Sequence, residues 1–204
     1  MAITSYSTLK SAIADWIERD DLGSSIDTFI DLMEAHIYRE LRIQAMETTL
    51  SEAIASGVIA VPSTFLELSF AYVDGSPTSP LELKTPYWIY QHYPDRSASG
   101  RPKFIAREGS NLIFGPYPDS NYTIKGLYFA KLTALSGSNE TNWFTTNAPD
   151  LLLFGSLVAA TPYIGDDERS VVWKSQFEEA LNELKRQDRK ERFNIRGPMA
   201  ATVA

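Results

Sequence analysis

The chain is 204 residues long, 44% hydrophobic and 22% charged, with a formal net charge of -7, a length and balance that suit one sizeable folded domain, or a domain with an insertion, able to bury a core unaided. It has no cysteine and only two histidines, His36 and His92, which excludes a disulfide framework, a thiol nucleophile and thiolate zinc sites and leaves only carboxylate sites for hard cations open by count. The negative balance disfavours wrapping around a phosphate backbone, where Lys and Arg must displace condensed counterions.

The opening MAITSYSTLK has neither a basic leader ahead of an apolar run nor an acylation signature, so no secretory or lipid address is expected. In YSTLKSAIADWIERDD, Leu9, Ile13, Trp16 and Ile17 fall on one helical face, with Ser5 or Ser7 to supply the cap oxygen. Gly23 and the serines after it interrupt the pattern, and Asp27 stands where a cap would precede Phe29, Ile30, Met33, Ile37 and Leu41. The expectation is an N-terminal helical hairpin.

Helical character fades after Met46, and GVIAVPSTFLELSFAYVDGSPTSPLELK favours strands, with Asp74-Gly75 as the turn between two runs. Thr85-Pro86 reads as a cap followed by a first-turn proline, opening a short helix in YWIYQHYPDR that ends by Pro94; SASGRPK after it reads as a loop. PKFIARE and NLIFGPYP join across Gly109. NYTIKGLYFAKL offers Tyr122, Ile124, Leu127 and Phe129 as its main apolar positions, with Gly126 breaking the alternation as the mark of a bulge. A small antiparallel sheet with short loops is expected here.

The run TNWFTTNAPDLLLFGSLVAA carries one charge, Asp150. Asn147 as cap, Pro149 in the first turn and Asp150 near the positive end of the dipole start a helix there. From Leu151 to Ala160 it spans about 15 Å, far short of the roughly 30 Å core of a bilayer. It is therefore expected to be buried on every side, with Gly155, Ser156, Ala159 and Ala160 allowing close approach, and not to be a membrane anchor. In DDERSVVWKSQFEEALNELKRQDRKERF the buried stripe is Trp173, Phe177, Leu181 and Leu184, with Asp166 or Asp167 capping the start. The tail NIRGPMAATVA has no period, and the chain has no internal repeat. The order helix pair, sheet, helix pair predicts an α+β chain. Residues 1–50 and 141–192 make a helical bundle from both termini, residues 51–140 insert as a small β-rich subdomain with one short helix, and residues 193–204 form an extended tail.

Candidate chemistry is sparse. Asp166-Asp167-Glu168 and Asp20-Asp21 suit helix ends without any catalytic role, and neither histidine sits in a nucleophile context. His36, at the margin of a buried stripe, reads as a hydrogen-bonding residue. The glycines of GSPTSP, ASGRP and FGPYPD follow turn logic and build no phosphate loop. Neither metal nor cofactor is expected. Tyr87, Trp88, Tyr90 and Tyr93, with His92 among them, form an aromatic cluster that lacks basic interleaving, so a core or protein interface is favoured over nucleic acid, with carbohydrate as the other option. Positive charge gathers only in KRQDRKERF, from Lys185 to Phe193, read as a solvated helix end or a docking helix. Arg192, Phe193, Ile195, Arg196 and Met199 are the candidate partner-binding anchors at this end.

Taken in order, ITSYSTLKSAIADWIERDDL, FIDLMEAHIYRELR, VPSTFLELSFAYVDGSP, TNWFTTNAPDLLLFGSL and PYIGDDER resemble the head-to-tail adaptor proteins of tailed phages, of the podovirus portal-adaptor type, over most of the chain. The resemblance implies a helical domain with a β-rich insertion, assembled as a ring, typically of twelve copies, beneath the portal of the capsid. It implies portal protein on one face, a tail nozzle or hub on the other and sometimes fibres at the rim, with DNA passing through the lumen without specific binding. It also implies a virion protein assembled in the host cytoplasm, with no enzymatic activity and no catalytic motif. The residues alone leave a second reading, an accessory tail or fibre-attachment module that binds glycans through the cluster at residues 87–93.

Overall fold

The computed structural model describes residues 2–19, 21–165 and 167–194. The chain divides into two compact units, Met1–Ala45 with Leu132–Ala204, and Met46–Lys131. In the first, helix α1 (Tyr6–Ile17) opens on a reciprocal cap, the Ser5 hydroxyl accepting from Thr8 N–H while the Thr8 hydroxyl accepts from Ser5 N–H. Leu9, Ile13 and Ile17 are buried as the spacing predicts, whereas Trp16 stays 44% exposed with its ring edge-on to Phe154. Helix α2 (Gly23–Glu40) begins at the glycine and serines expected to interrupt it. Asp27 is therefore not a cap: it lies inside α2, where it accepts a hydrogen bond from the Tyr6 hydroxyl at 2.6 Å and pairs with Lys10. Partners on α1 claim a carboxylate that, read locally, looked free to cap.

The second unit contains β1 (Glu47–Ala53), β2 (Val58–Ala60), β3 (Phe65–Val73), β4 (Ser79–Leu83), α3 (Pro86–His92), β5 (Ser99–Gly100), β6 (Phe104–Glu108), β7 (Asn111–Gly115), β8 (Tyr117–Pro118) and β9 (Thr123–Ala130). Seven strands form one sheet in the order β1-β9-β3-β4-β6-β7-β2. It is larger than the small antiparallel subdomain expected, and it is mixed, because β4 and β6 run parallel. Helix α3 supplies the reason: it lies between them in sequence, and a connection of that kind returns the chain in its starting direction, which a tight turn cannot do. The two edge strands β1 and β2 follow one another through a turn closed by Ala55 and Val58, which brings the edges together and curls the sheet almost shut. Leu50, Ile59, Val73, Ile105, Leu112, Ile124 and Tyr128 share its core. The loop expected at SASGRPK contains β5, paired in parallel with β8.

Strand β9 departs from its expected phase. Its buried positions are Ile124, Gly126, Tyr128, Phe129 and Ala130, of which Ile124, Tyr128 and Ala130 join the sheet's core, while Leu127 is only partly buried. Gly126 thus continues the inward alternation, and the irregular register lies on the facing strand β3, between Phe65 and Glu67 and between Leu68 and Phe70. A Cβ at Gly126 would collide with the Phe70 carbonyl oxygen and come within 2.8 Å of the Ala71 Cα. Glycine is needed because two backbones touch there.

The chain then completes the helical unit with α4 (Trp143–Asn147), α5 (Pro149–Ile164) and α6 (Ser170–Asn194). Asn142 caps α4 through Phe144 N–H and Thr145 N–H. Asn147 is not the cap of α5: it ends α4, its amide donating to the Trp143 carbonyl, and the cap position of α5 falls on Ala148. Pro149 and Asp150 do occupy the first turn. No residue from Leu151 to Ala160 is exposed. At Gly155 a Cβ would lie 2.6 Å from Met33 Cγ and 2.8 Å from Phe177 Cε2, so α2 and α6 both close on α5 at that point. Trp173, Phe177, Leu181 and Leu184 are buried on α6, joined by Ala180. Asp167 accepts Ser170 N–H through its carbonyl and Arg169 N–H through its carboxylate, and Asp166 lies outside the described residues. Helix α6 reaches Asn194, beyond the boundary at 192 expected for it.

Replacing Gly126 with alanine, a change that would usually favour a strand, is expected to lower stability by about 3 kcal/mol through backbone overlap. Chemical denaturation of the variant checks this; an unchanged or higher midpoint contradicts it.

Candidate functional site

The aromatic cluster does not form one flat platform. Thr85 accepts from Trp88 N–H and Pro86 opens α3, which sends alternate rings to different surroundings. The Trp88 ring stacks on His92 at 4.0 Å, meets Phe104 at 4.6 Å and lies under the Lys84 ammonium at 5.1 Å. Tyr93 tilts against Trp88 and Phe104. His92 Nδ1 lies 2.9 Å from the Trp88 carbonyl oxygen. Tyr90 donates its hydroxyl to Glu108, and Tyr87 stands apart, 75% exposed. Trp88 and Tyr93 are thus used in packing, and Tyr87 and Tyr90 face outward singly.

At the end of α6, the basic run continues the helix. Lys185 pairs with Glu40 at 3.1 Å, and Arg192 Nε donates to Asp188 at 2.7 Å, while the other Asp188 oxygen accepts from Gln44 N–H at 2.6 Å. A groove of about 250 Å³ lies beside these groups, floored by Ile43, Trp143 and Leu184 and rimmed by Gln187, Asp188 and Glu191. Of the expected anchors, Arg192 and Phe193 fall on α6, whereas Ile195, Arg196 and Met199 lie outside the described residues.

The second unit holds a feature that the sequence reading missed. Strand β3 pairs with β4 only where Ala71–Val73 meet Ser79–Leu81, and β4 pairs with β6 only where Glu82 and Leu83 meet Phe104 and Ile105. Thr85 then caps α3 and the chain leaves the sheet. The part of β3 before Ala71 and the part of β6 after Ile105 consequently flank a slot of about 310 Å³, lined chiefly by Phe65, Leu68, Leu83, Ile105, Ala106 and Leu112. Arg107 lies across it, with Nη1 3.4 Å from the Leu66 carbonyl oxygen and the guanidinium over the Phe65 ring. The signal was the abrupt change from strand to helix at Lys84-Thr85-Pro86. It marks where a strand stops short as well as where a helix starts.

The acidic groups singled out in sequence have structural partners. Asp21 accepts from Arg19 Nε and Nη2, at 2.8 and 2.6 Å, and Asp167 from Arg169; each carboxyl is pulled below its ordinary range, chiefly by those hydrogen bonds. Asp20 lies outside the described residues. Among the described residues no three His, Asp or Glu side chains come together as a metal site, and no helix is long and apolar enough to cross a membrane. His36 rests edge-on against Phe177 at 5.3 Å, a contact between helices made through the ring rather than the hydrogen bond expected of it. The unforeseen carboxylate is Glu34, on the buried face of α2 and only 4% exposed. Its Oε1 accepts from Leu135 N–H at 3.2 Å and from the Asn142 amide at 3.4 Å. Desolvation pushes its carboxyl up to about 7, with help from Asp31, while the two donors pull it back. Its position four residues after Ile30 and three before Ile37 marked it as inward-facing. Glu34 clamps the segment leading into α4, a structural task.

Two outcomes follow from this geometry. Because Glu34 holds its proton more tightly folded than at its ordinary 4.5, its contribution to stability is complete below that value and is lost as pH rises through about 7. Glu34→Gln is therefore expected to exceed the parent in stability at pH 8, by on the order of 2 kcal/mol, and to lose that advantage near pH 5; unfolding curves at the two pH values check this. Trp88→Ala is expected to cost about 2 kcal/mol or more, whereas Tyr87→Ala stays within about 0.5 kcal/mol of the parent, both measured by thermal or denaturant unfolding.

No curated protein matches the sequence. Residues 4–202 match the family model described as SU10 adaptor protein, a span that takes in the capped hairpin of α1 and α2, the seven-stranded sheet and the buried helix α5. On that match the chain belongs to the SU10 adaptor protein family, a family of phage adaptor proteins.

Proposed function

We propose that the protein is a structural head-to-tail adaptor that forms a ring of about twelve copies between the portal and the tail nozzle or hub, with a central channel for DNA. The observation that carries this reading is the family match over residues 4–202. Charge supports it: a balance of -7 repels the phosphate backbone and lets DNA slide past without specific binding. Surface chemistry supports it as well. Leu32, Tyr163, Val171 and Val172 are exposed on the helical unit, and ring subunits need apolar side surface beyond a monomer's core to make contacts that close by rotation. Assembly in the host cytoplasm and residence in the virion at the head-tail junction follow from the role, as does DNA ejection through the lumen. Fibres at the rim fit the same architecture.

In this reading the C-terminal end, with Arg192, Phe193, Ile195, Arg196 and Met199, engages the portal or a neighbouring subunit. The glycan-binding alternative has less support, since Trp88, the best stacking ring of the cluster, is already covered by His92 and Lys84. Deleting residues 195–204 is expected to leave the unfolding transition of the protein in place and to cut its incorporation into assembling particles severalfold. Undiminished incorporation contradicts this role for the C-terminal segment.

A further inference from the structure

One end of the helical unit leaves an apolar face in water. Arg169, in the turn between α5 and α6, donates through Nη1 to the Trp16 carbonyl oxygen at 3.1 Å and to the Glu18 carboxylate at 3.3 Å, which brings the close of α1, the last turn of α5 and the first turn of α6 to that end. Four large side chains stand open there: Trp16 at 44%, Tyr163 at 59%, Val171 at 75% and Val172 at 60% exposure. Single exposed apolar residues are ordinary, but a group of them marks an interaction surface. Its border is acidic. Arg19 and Arg169 are already held by Asp21 and Asp167, whereas Asp15 and Glu168 are exposed and have no ion pair among the described residues. A partner for this face brings positive charge on stems able to cover rings and valines.

The other end of α6 carries that chemistry. Lys185 on Glu40, and Asp188 accepting from Gln44 N–H, pin its last turns to the end of α2, and this fixes which side of the helix faces water. Arg186, Arg189 and Lys190, at i, i+3 and i+4, share that exposed side. Arg186 meets its helix neighbour Glu183 at 3.2 Å, while Arg189 and Lys190 have no ion pair among the described residues. Val172 and Arg189 ride on the same helix about 26 Å apart at 1.5 Å per residue, so the two faces cannot meet within one chain. We infer that the Arg186, Arg189 and Lys190 face of one copy docks on the Trp16, Tyr163, Val171 and Val172 face of the next. This rests on the reading that the copies assemble as a ring. The arginine stems lie over the Trp16 and Tyr163 rings, and the charges meet Asp15 and Glu168. Each copy gives the basic end of α6 to one neighbour and receives the other neighbour's on its acidic, apolar end, a heterologous contact that closes by rotation. Charge also orders the partners, since two basic ends or two acidic ends repel.

The absence of native cysteine makes a cross-linking test clean. A full-length Val172→Cys/Lys190→Cys variant is incorporated into particles, oxidised and run on a non-reducing gel. Its two sites lie about 27 Å apart along α6, far beyond the roughly 6 Å Cα separation of a disulfide, so any bond joins two chains. Tyr87→Cys/Lys190→Cys, whose first site is exposed on the β unit, serves as control. The expected result is a ladder of covalent oligomers that runs past the dimer and is absent from the control. A band that stops at the dimer, the mark of two-fold pairing, or no cross-link above the control, overturns the inference. Charge reversal gives a second reading. Arg186→Glu/Arg189→Glu is expected to cut incorporation into particles severalfold with the unfolding transition in place, and adding Asp15→Lys/Glu168→Lys to restore most of it. No loss, or a loss that the second pair does not restore, overturns the inference. Particles whose adaptor forms no ring sink the ring reading and this contact with it, while a ring without ladder or rescue sinks the contact alone.

Discussion

The helical unit depends on one close approach. Helix α5 carries no side chain at Gly155, and into that space come Met33 of α2 and Phe177 of α6. The contact joins a residue from the first fifth of the chain to one near its end, so the unit closes only when both termini have been brought together. Around it, Leu151, Leu152, Leu157 and Ala160 are wholly buried, each leucine contributing about 2 kcal/mol of transfer free energy. A helix apolar on all sides has no face left for water, and this one therefore needs neighbours on every side. That requirement sets α1, α2, α4 and α6 around it. It also explains how the longest uncharged run of an acidic chain is accommodated inside the helical unit.

The β unit obeys a different constraint. Its sheet is nearly closed, so few backbone groups are left on open edges, and its core comes from alternate positions on successive strands. Closing such a sheet forces close backbone contacts, of which Gly126 against Phe70 and Ala71 is the tightest. It also forces choices about where strands end. The turn into α3, fixed by the Thr85 cap, satisfies the helix and leaves the sheet one short strand-segment incomplete. The same local signal therefore builds one element and opens a slot in another.

Much of this was legible in the amino-acid order, because stripes at helical spacing are read from neighbours only a turn away. The faces of α2 and α6, the face of α1 apart from Trp16, a cap at Ser5 or Ser7, the Thr85-Pro86 start and the buried nature of α5 all belong to that class. What escaped depended on partners distant in sequence. Asp27 looked like a cap until Tyr6 and Lys10 claimed it, and Asn147 looked like one until Asn142 formed a separate short helix ahead of it. Gly126 seemed to break an alternation because Leu127 and Phe129 are the larger apolar residues beside it. In fact the inward phase runs through Tyr128 and Ala130, a choice made by the facing strand. The size and mixed pairing of the sheet are likewise long-range facts. Of the anchor residues expected at the C-terminal end, Arg192 is held by Asp188 on its own helix, and Ile195, Arg196 and Met199 lie outside the described residues.

The central claim is that many copies of this chain encircle the path of the DNA at the head-tail junction. Cryo-electron microscopy of assembled particles, with symmetry averaging imposed only after the junction has been reconstructed without it, tests this most directly. The account predicts a closed ring of about twelve copies beneath the portal, each with density for the helical unit and the β unit. A monomer or dimer at a peripheral position on the particle would contradict it.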